Sequence, residues 1–305
     1  MSLTVLVAGA TGRFRPVGEM LLDRGHRVRA GTRDLHSPPA RELAALDAEL
    51  VAFDFDDPVS IEEAAHGVDA VFATGTAHRA GPDGEVRHGR NLADAVSAAH
   101  VGHFVFSSGA GADRPTGVPI FEGKRQVEDY VNALRLPATI LAPVYLMENL
   151  FNPWNVPALA SGVFPSPVPP RRAIQQIPVV DIAAFAVHAL EHRDDLLGQR
   201  IELASDSLTD VEEVRIISVT SGRELEIREV TPSGGLQVLF GWLDRVGFNV
   251  DIAALRRDYP DLRWHSFSEW AHAQDWSVVN PSLPSSSLPS SRDTRPGVRY
   301  GPSRA

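Results

Sequence analysis

The 305-residue chain contains no cysteine, which excludes disulfide bridges, thiolate nucleophiles and thiolate metal sites. No apolar run approaches the roughly 20 residues that a membrane-crossing helix needs, and the opening MSLTVLVAGATG lacks the basic region of a signal peptide. The formal net charge is −10, whereas a nucleic-acid binder usually carries a basic face. We therefore expect a cytoplasmic globular protein that binds neither membranes nor nucleic acid.

Lysine is almost as scarce as cysteine. Of the 29 basic residues only Lys124 is a lysine, and all the others are arginine. An arginine cannot lose its proton near neutral pH, whereas a lysine can be tuned as an acid or a base. Lys124 follows a strand-like segment that ends in Ser107-Ser108, so we expect it to serve chemistry or cofactor binding. The alternative is a surface lysine that escaped the bias towards arginine.

Strands and helices alternate with short connections from the first residues onward. Residues 3–8 form a continuous apolar run, as buried parallel strands do, and further strands are expected at residues 26–32, 49–54, 68–73, 103–107 and 138–141. This order predicts an α/β fold with a doubly wound parallel Rossmann sheet and a smaller C-terminal α/β domain.

The predicted domains differ in composition. Residues 1–150 are expected to form an NAD(P)-binding domain, whose sheet is completed by part of residues 175–204. Residues 151–276, which begin with a proline-rich and aromatic stretch, are expected to form a smaller substrate or lid domain. Residues 277–305 are rich in serine and proline, which predicts a disordered tail.

A glycine-rich turn directly follows the first strand and opens a helix. Gly9 and Gly12 would place backbone amides and a helix N-terminus against a pyrophosphate, and the alternative is a plain structural turn. The customary third glycine is missing, because Arg13-Phe14-Arg15-Pro16 follows and the loop is one residue short. We expect a displaced first helical turn.

Cofactor choice is determined at the end of the second strand. Arg33 stands there, and Arg13 lies in the glycine loop; both can grip a 2′-phosphate in a bidentate manner. Asp34 is the alternative, since an acidic residue would hold the ribose hydroxyl of NAD. The sequence thus favours NADP(H) over NAD(H).

The next two strand ends complete the predicted cofactor site. Asp54 and Phe55 would lie beside the adenine, and their alternative is a helix cap and a core aromatic. Thr74 and Gly75 end the fourth strand, where the backbone would pass close to the ribose and phosphates.

Five blocks of the sequence occur together in one known family. They are GATGR, HGRNLADAVSAAHVGHFVFSSGAGAD, GKRQVEDYV, PATILAPVYLMENL and FGWLDRVGFNVDIAALRRDYPDL. In this order, over about residues 3–276, they resemble the NmrA-like group of atypical short-chain dehydrogenase/reductases. The resemblance implies a Rossmann domain that binds NADP(H) and a smaller substrate domain.

The resemblance also implies roles for single residues. It places Lys124 near the nicotinamide ribose and Arg33 at the 2′-phosphate, and it makes Pro143 and Tyr145 part of the nicotinamide wall. The residues that resemble the phosphate loop are Gly9, Thr11, Gly12 and Arg13, with Phe14 beside them.

Typical short-chain dehydrogenases use a tyrosine four residues before the catalytic lysine, and here that position is Ile120. We therefore predict that this tyrosine-based mechanism is absent. Either Lys124 assists protonation of the substrate, or hydride delivery and geometry alone suffice to reduce a conjugated acceptor. For the substrate we predict contacts with Ser108, Phe121, Asn149 and Trp154. The alternatives are a turn residue for Ser108 and ordinary core packing for the aromatic residues.

The eleven histidines are scattered, so we predict no metal site, and we place His78 and His88 in a solvated loop. Two functions follow. One is an NADPH-dependent reductase that acts on a small conjugated carbonyl or quinone-like molecule. The other is a non-catalytic NADP(H)-sensing protein that acts through a regulatory protein partner.

Overall fold

The structure is a computed structural model that describes residues 2–280, apart from the side chains of residues 77–79. Its strands, numbered in chain order, are β1 (Thr4–Ala8), β2 (Arg27–Thr32), β3 (Glu49–Ala52), β4 (Ala70–Thr74), β5 (His103–Ser107), β6 (Ala138–Pro143), β7 (Tyr145–Leu146), β8 (Val163–Ser166), β9 (Ile174–Ile177), β10 (Arg200–Leu203), β11 (Asp206–Leu208) and β12 (Glu226–Glu229). Its helices are α1 (Arg15–Asp23), α2 (Pro38–Ala44), α3 (Pro58–Ala65), α4 (Ala77–Ala98), α5 (Pro119–Ala133), α6 (Val156–Ala160), α7 (Val179–Glu191), α8 (Arg193–Leu196), α9 (Asp210–Ser221), α10 (Gly234–Arg245), α11 (Ile252–Asp258) and α12 (Phe267–His272), and a 3₁₀ helix spans Met147–Phe151.

A seven-stranded parallel sheet in the order β10-β6-β5-β4-β1-β2-β3 forms the centre of the molecule. β1 pairs with β2 on one side and with β4 on the other, so the strand order reverses beside β1. The predicted doubly wound parallel sheet is therefore confirmed. β10 pairs with β6 at the other edge, so the chain returns to this sheet after its excursion through the 3₁₀ helix, α6, β8 and β9.

The continuous apolar run of β1 exists because both faces of the sheet are covered. Val5 and Val7 pack on the face that α1 and α7 cover, together with Leu21 and Phe185. Leu6 packs on the opposite face with residues of α3, α4 and α5. Because the side chains on both faces of β1 are buried, no position in the strand alternates to a polar residue, and the sequence is apolar throughout.

Prolines shape the starts of α2 and α4. α2 starts at Pro38, because a proline at the first helical position is already set to helical geometry. α4 starts at Ala77 and is kinked at Gly81, whose φ is 71° and which precedes Pro82. The placement of His88 in a solvated loop was wrong, since this side chain is 8% exposed; the backbone of residue 78 also lies in α4.

Smaller sheets and short helices build the C-terminal half. β7, β9 and β11 form a three-stranded sheet, and β8 pairs with β12. A separate core beneath them contains Met147, Phe164, Ile217, Phe267 and Trp270. Residues 281–305 of the predicted tail lie outside the described residues, whereas Val279, which falls within the predicted tail, is buried. No helix among residues 2–280 combines the length and apolar character that crossing a membrane requires.

Candidate functional site

A cleft of about 870 Å³ opens at the carboxyl ends of the central strands. Residues at or just beyond the ends of β1, β2, β4, β5 and β6 all line it. Open α/β sheets bind their ligands in this crevice, where the strand order reverses, and the volume lies in the range of cofactor and ligand sites. The cleft contains every predicted site residue except Trp154, which is 51% exposed and does not line it.

The short glycine loop closes as two successive tight turns. The amide of Gly12 donates to the carbonyl of Gly9 at 2.9 Å, and the amide of Arg15 donates to the carbonyl of Gly12 at 3.1 Å. Gly9 has a φ of 70°, which favours glycine. The amides of Arg13 and Phe14 donate no hydrogen bond to any other described residue. They are therefore available to an anion at the start of α1.

Arg33 stands unengaged at the end of β2. Its side chain lines the cleft, is exposed, and makes no hydrogen bond or ion pair with the rest of residues 2–280. Asp34, the alternative cofactor selector, is occupied by its own turn, because its carboxylate accepts the amide of His36 at 2.8 Å. The structure thus offers a free cation for a phosphate, while the carboxylate beside it already has a partner.

Arg13 reaches from the glycine loop to the 3₁₀ helix. Its two terminal nitrogens donate to the side-chain oxygens of Asn149 at 2.9 Å and Asn152 at 3.0 Å. The arginine is therefore held by the segment that follows β7. This pair of bonds connects the glycine loop to the C-terminal half of the chain.

An aromatic and polar group lines the cleft next to Asp54. Phe55 stacks on His88 with ring centroids 5.5 Å apart, and His88 contacts the hydroxyl of Thr76 at 2.8 Å and the carboxylate of Asp56 at 2.9 Å. Hydrogen bonds from Arg87 and His88 lower the pKa of Asp56. Of this group only Phe55 was predicted as a site residue, because His88 on α4 meets the segment after β3 only in the fold.

Asp54 itself has a local role. Its carboxylate accepts the amide of Asp56 at 3.1 Å, and its own amide donates to Ser60 at 3.0 Å. The residue that caps α3 is Asp57, whose side chain accepts from Val59. Asp54 still lines the cleft, so the position is compatible with the predicted adenine contact.

Lys124 is held by a buried carboxylate that the sequence did not reveal. Its ammonium donates to Glu85 at 2.9 Å, and the two side chains are 12% and 1% exposed. Glu85 also accepts the amide of Thr76. Gly75 leaves room for this pair, because a Cβ there would lie 2.0 Å from Glu85 Oε1 and 2.4 Å from Lys124 Nζ. The lone lysine is therefore positioned at the ends of β4 and β5 with its charge balanced.

The two serines at the end of β5 differ. Ser108 donates its proton to Glu128, which also accepts from Arg200 at 2.9 Å. Ser107 lines the cleft, and its buried hydroxyl has no hydrogen-bond partner in the described part of the chain. Ser108 therefore cannot donate the same proton to a substrate, whereas the hydroxyl of Ser107 is uncommitted.

One end of the cleft is apolar. Phe121 packs against Trp242 of α10, with ring centroids 5.2 Å apart, and against Phe248. Tyr145 contacts Phe240 at 6.1 Å between ring centroids. The lining residues at this end are Ile120, Phe121, Tyr145, Leu239 and Phe248, and α10 supplies a wall that no motif in the sequence predicted.

Among residues 2–280, no three histidine, aspartate or glutamate side chains are grouped so that they could hold a metal ion. Although the histidines are scattered, one pair is close in the sequence. His188 and His192 lie one turn apart on and just after α7, and their rings stack 4.0 Å apart. Burial lowers the pKa of His188, which fits a packing role.

Known proteins of the same architecture resemble this chain over most of its length. An NAD(P)H azoreductase from Xenophilus azovorans is 28% identical over 240 residues, which are 78% of this chain and 80% of the relative. NmrA, a negative transcriptional regulator solved in complex with NADP, has a TM-score of 0.70 and 22% identity, with 89% of this chain and 94% of that one covered. The NADPH-dependent quinone oxidoreductase QOR2 of Escherichia coli has a TM-score of 0.74 and 19% identity, with 88% and 98% covered.

The sequence profile of the NmrA-like family matches residues 1–252. The match begins before β1 and ends at the start of α11, so it includes the glycine loop, the Lys124 helix and the segment after β6. These are the regions whose motifs predicted the family, and the prediction is confirmed: this chain belongs to the NmrA-like family.

Proposed function

We propose that this protein is an NADP(H)-dependent reductase of a small conjugated carbonyl or quinone-like molecule. The observation that carries the proposal is one continuous cleft. At one end it offers unbonded amides and the free cation of Arg33, and at the other an apolar aromatic wall, with Lys124 between them along the sheet edge.

The residues present fit a dinucleotide. The amides of Arg13 and Phe14 suit a diphosphate, Arg33 suits a 2′-phosphate, and Phe55 offers a face for a flat base. When bound, the cofactor supplies a hydride, and the protein supplies orientation and electrostatics. Thr11, Thr74, Gly75 and Pro143 would complete the walls of its site.

Lys124 is the residue that we propose to act on the substrate side. Its ion pair with Glu85 keeps a positive charge fixed at the end of β5, where it can hold a ribose hydroxyl and stabilise negative charge that develops on a substrate oxygen. The apolar wall of Ile120, Phe121 and Phe248 favours a flat unsaturated acceptor over a charged or sugar-like one.

Binding and turnover test this proposal separately. Calorimetric titration with NADPH, NADP, NADH and NAD should show the tightest binding for the phosphorylated pair, and NADPH absorbance should fall when quinones or enones are added. Lys124→Ala should lower turnover at least about 100-fold, whereas Arg125→Ala on the same helix should change it less than twofold. Confirmed NADPH binding with no NADPH consumption across the acceptors would count against a reductase.

One observation favours a second function, an NADP(H)-sensing regulator. Arg13 ties the glycine loop to Asn149 and Asn152, so the state of the cofactor site can be transmitted to the C-terminal half, where a protein partner would bind. This function predicts affinities for NADP and NADPH that differ at least about tenfold, that is, by about 1.4 kcal/mol. Equal affinities in the same titration would remove it.

A further inference from the structure

A phenol enters the cleft from β7 and not from α5. α5 carries Ile120 where a typical short-chain dehydrogenase has its tyrosine, but β7, two residues after the end of β6, brings Tyr145 into the cleft that Lys124 also lines. We propose that Tyr145 is a catalytic residue that donates a proton to the substrate oxygen during reduction. This inference rests on the proposed reductase function.

The hydrogen bonds around Tyr145 leave its proton free. Arg13 donates to the side-chain oxygen of Asn149, which fixes the orientation of that amide. The side chain of Asn149 lies near enough to the phenol to limit the rise of the pKa of Tyr145. No described residue accepts a hydrogen bond from the hydroxyl of Tyr145, which lines the cleft, so its O–H remains available to a ligand there.

A second pair of polar side chains stands behind the ring. In the parallel pairing of β7 with β9, Tyr145 lies directly opposite Gln176, so the two side chains share one face of the sheet. Gln176 donates to the buried carboxyl of Glu213 on α9, and Asp210, one turn earlier, accepts from Ser166. The charged or titratable groups that act on the phenol are therefore Glu213, Asp210 and Arg13.

This environment keeps the phenol protonated. Burial, with the acids Glu213 and Asp210, raises the pKa of Tyr145 above its ordinary value, so the proton is present at neutral pH. Burial also raises the pKa of Glu213 to about 8, so the acid behind the ring is largely uncharged near neutrality. Tyr145 is therefore a neutral hydrogen-bond donor at the pH of the reaction.

The proposed step balances with NADPH as the reductant. A quinone gains a hydride, that is, two electrons and one proton, and the nicotinamide is oxidised by the same two electrons. The O–H bond of Tyr145 breaks as a new O–H bond forms on the second quinone oxygen, which gives the hydroquinone. The tyrosine oxygen then recovers a proton from water in the cleft.

The test compares Tyr145→Phe with Tyr130→Phe. Tyr130 is also a phenol bonded to a polar side chain, the carboxylate of Asp94, but it does not line the cleft. Both variants should keep the wild-type melting temperature and NADPH affinity, which establishes that they fold. For a quinone, Tyr145→Phe should lower kcat about 100-fold or more, and Tyr130→Phe should change it less than twofold.

A second acceptor separates proton donation from substrate placement. A triarylmethyl cation needs only a hydride, so Tyr145→Phe should reduce it within threefold of the wild-type rate. If the wild-type protein does not reduce the cation, the solvent deuterium isotope effect on quinone reduction is measured instead. This isotope effect should be above about 2 in wild type and close to 1 in Tyr145→Phe. Equal losses on both acceptors, or an unchanged isotope effect, would overturn the inference.

A binding measurement makes the inference independent of turnover. 4-Nitrophenol, added to the protein with NADP, mimics the developing hydroquinone anion, and its absorbance distinguishes phenol from phenolate. Wild type should lower the apparent pKa of the bound ligand, and Tyr145→Phe should abolish this shift. If wild type reduces neither acceptor but shows the pKa shift, the proposed reductase function fails and the assignment of Tyr145 as a hydrogen-bond donor stands. If wild type shows no shift, the assignment of Tyr145 as a donor is wrong.

Discussion

At the scale of single residues, the lone lysine has a buried partner. Glu85 is 1% exposed and lies on α4, 39 residues before Lys124. No pattern in the sequence around either residue predicts that the two side chains form an ion pair. A buried charge is tolerated only when it is paired and hydrogen-bonded. Glu85 satisfies both conditions, through the ammonium and through the amide of Thr76.

Glu85→Gln is expected to destabilise the fold by about 2–4 kcal/mol, because it leaves the ammonium of Lys124 largely buried without its counter-charge. Urea unfolding monitored by circular dichroism measures the loss. Asp129→Asn is the matched control, since its ion pair with Arg125 is exposed and should contribute less than about 1 kcal/mol. Equal effects of the two substitutions would show that burial of the Glu85 pair has no energetic consequence.

Arg33→Ala is expected to weaken NADPH binding about 10- to 100-fold, because it removes charge-assisted hydrogen bonds worth about 1.5–3 kcal/mol. NADH, which lacks the 2′-phosphate, should bind the variant as it binds wild type. Calorimetry measures both affinities, and Arg41→Ala, on the neighbouring α2, should leave them unchanged. A parallel loss for NADPH and NADH would contradict the role of Arg33 as selector.

At the scale of elements, the cleft depends on turns in which a side chain has no room. The glycine loop compensates for its missing residue with consecutive tight turns, so that α1 begins three residues after Gly12. At the end of β4, the Glu85–Lys124 pair fills the space that a side chain at position 75 would occupy, so only glycine fits there. In both turns, close packing around the backbone determines which residue fits.

Gly75→Ala is expected to cost at least about 2 kcal/mol, because the added methyl group would overlap both members of the buried ion pair and force them apart. It should also reduce turnover, since Lys124 moves with its partner. Gly235→Ala on α10 is the control, as no atom lies within 4 Å of its added Cβ. Thermal unfolding compares the two, and an unchanged melting temperature in Gly75→Ala would contradict the packing described above.

At the scale of the whole molecule, two regions distant in sequence meet across the cleft. β10 and α7 return to the central sheet after the chain has formed the segment that holds Arg13. The division into domains at residues 150 and 276 stays a prediction. The acids of α9, behind Tyr145, give the folded molecule a pH dependence that the unfolded chain lacks.

Stability should fall as the pH rises through the range in which Glu213 titrates. The pKa of its carboxyl is raised from 4.5 to about 8 in the folded protein by burial and by Asp210. The folded state therefore binds more protons than the unfolded state between these values, and a stabilising contribution present below pH 4.5 is lost by about pH 8. Glu213→Gln, which cannot ionise, should gain at least about 1 kcal/mol relative to wild type between about pH 5 and about pH 9.

Urea unfolding at the two pH values measures this difference. Glu224→Gln, an exposed change just after α9, is the control and should follow wild type at both. If the Glu213→Gln and wild-type curves stay parallel, the carboxyl titrates alike in the folded and unfolded states, which would contradict the raised pKa of Glu213.

Local sequence patterns predicted the central sheet and residues that line one end of the cleft. Buried parallel strands are apolar throughout, and a glycine turn after the first strand has a fixed place in this fold, so both are encoded in neighbouring residues. Gly9, Gly12, Arg33, Asp54 and Gly75 could be placed because each lies at, or within a few residues of, the end of a predicted strand. The scarcity of lysine singled out Lys124, and the family resemblance added Tyr145.

The partners of these residues are set by the folded arrangement alone. Glu85 at Lys124, Asn149 at Arg13, and Gln176 with Glu213 behind Tyr145 come from elements far apart in the chain, and contacts between such elements leave no periodic trace in the sequence. The same reason explains why Trp154 lies outside the cleft while Phe248 lines it. Local pattern specifies strands and turns, whereas packing between distant segments determines which polar groups share a charge or a proton.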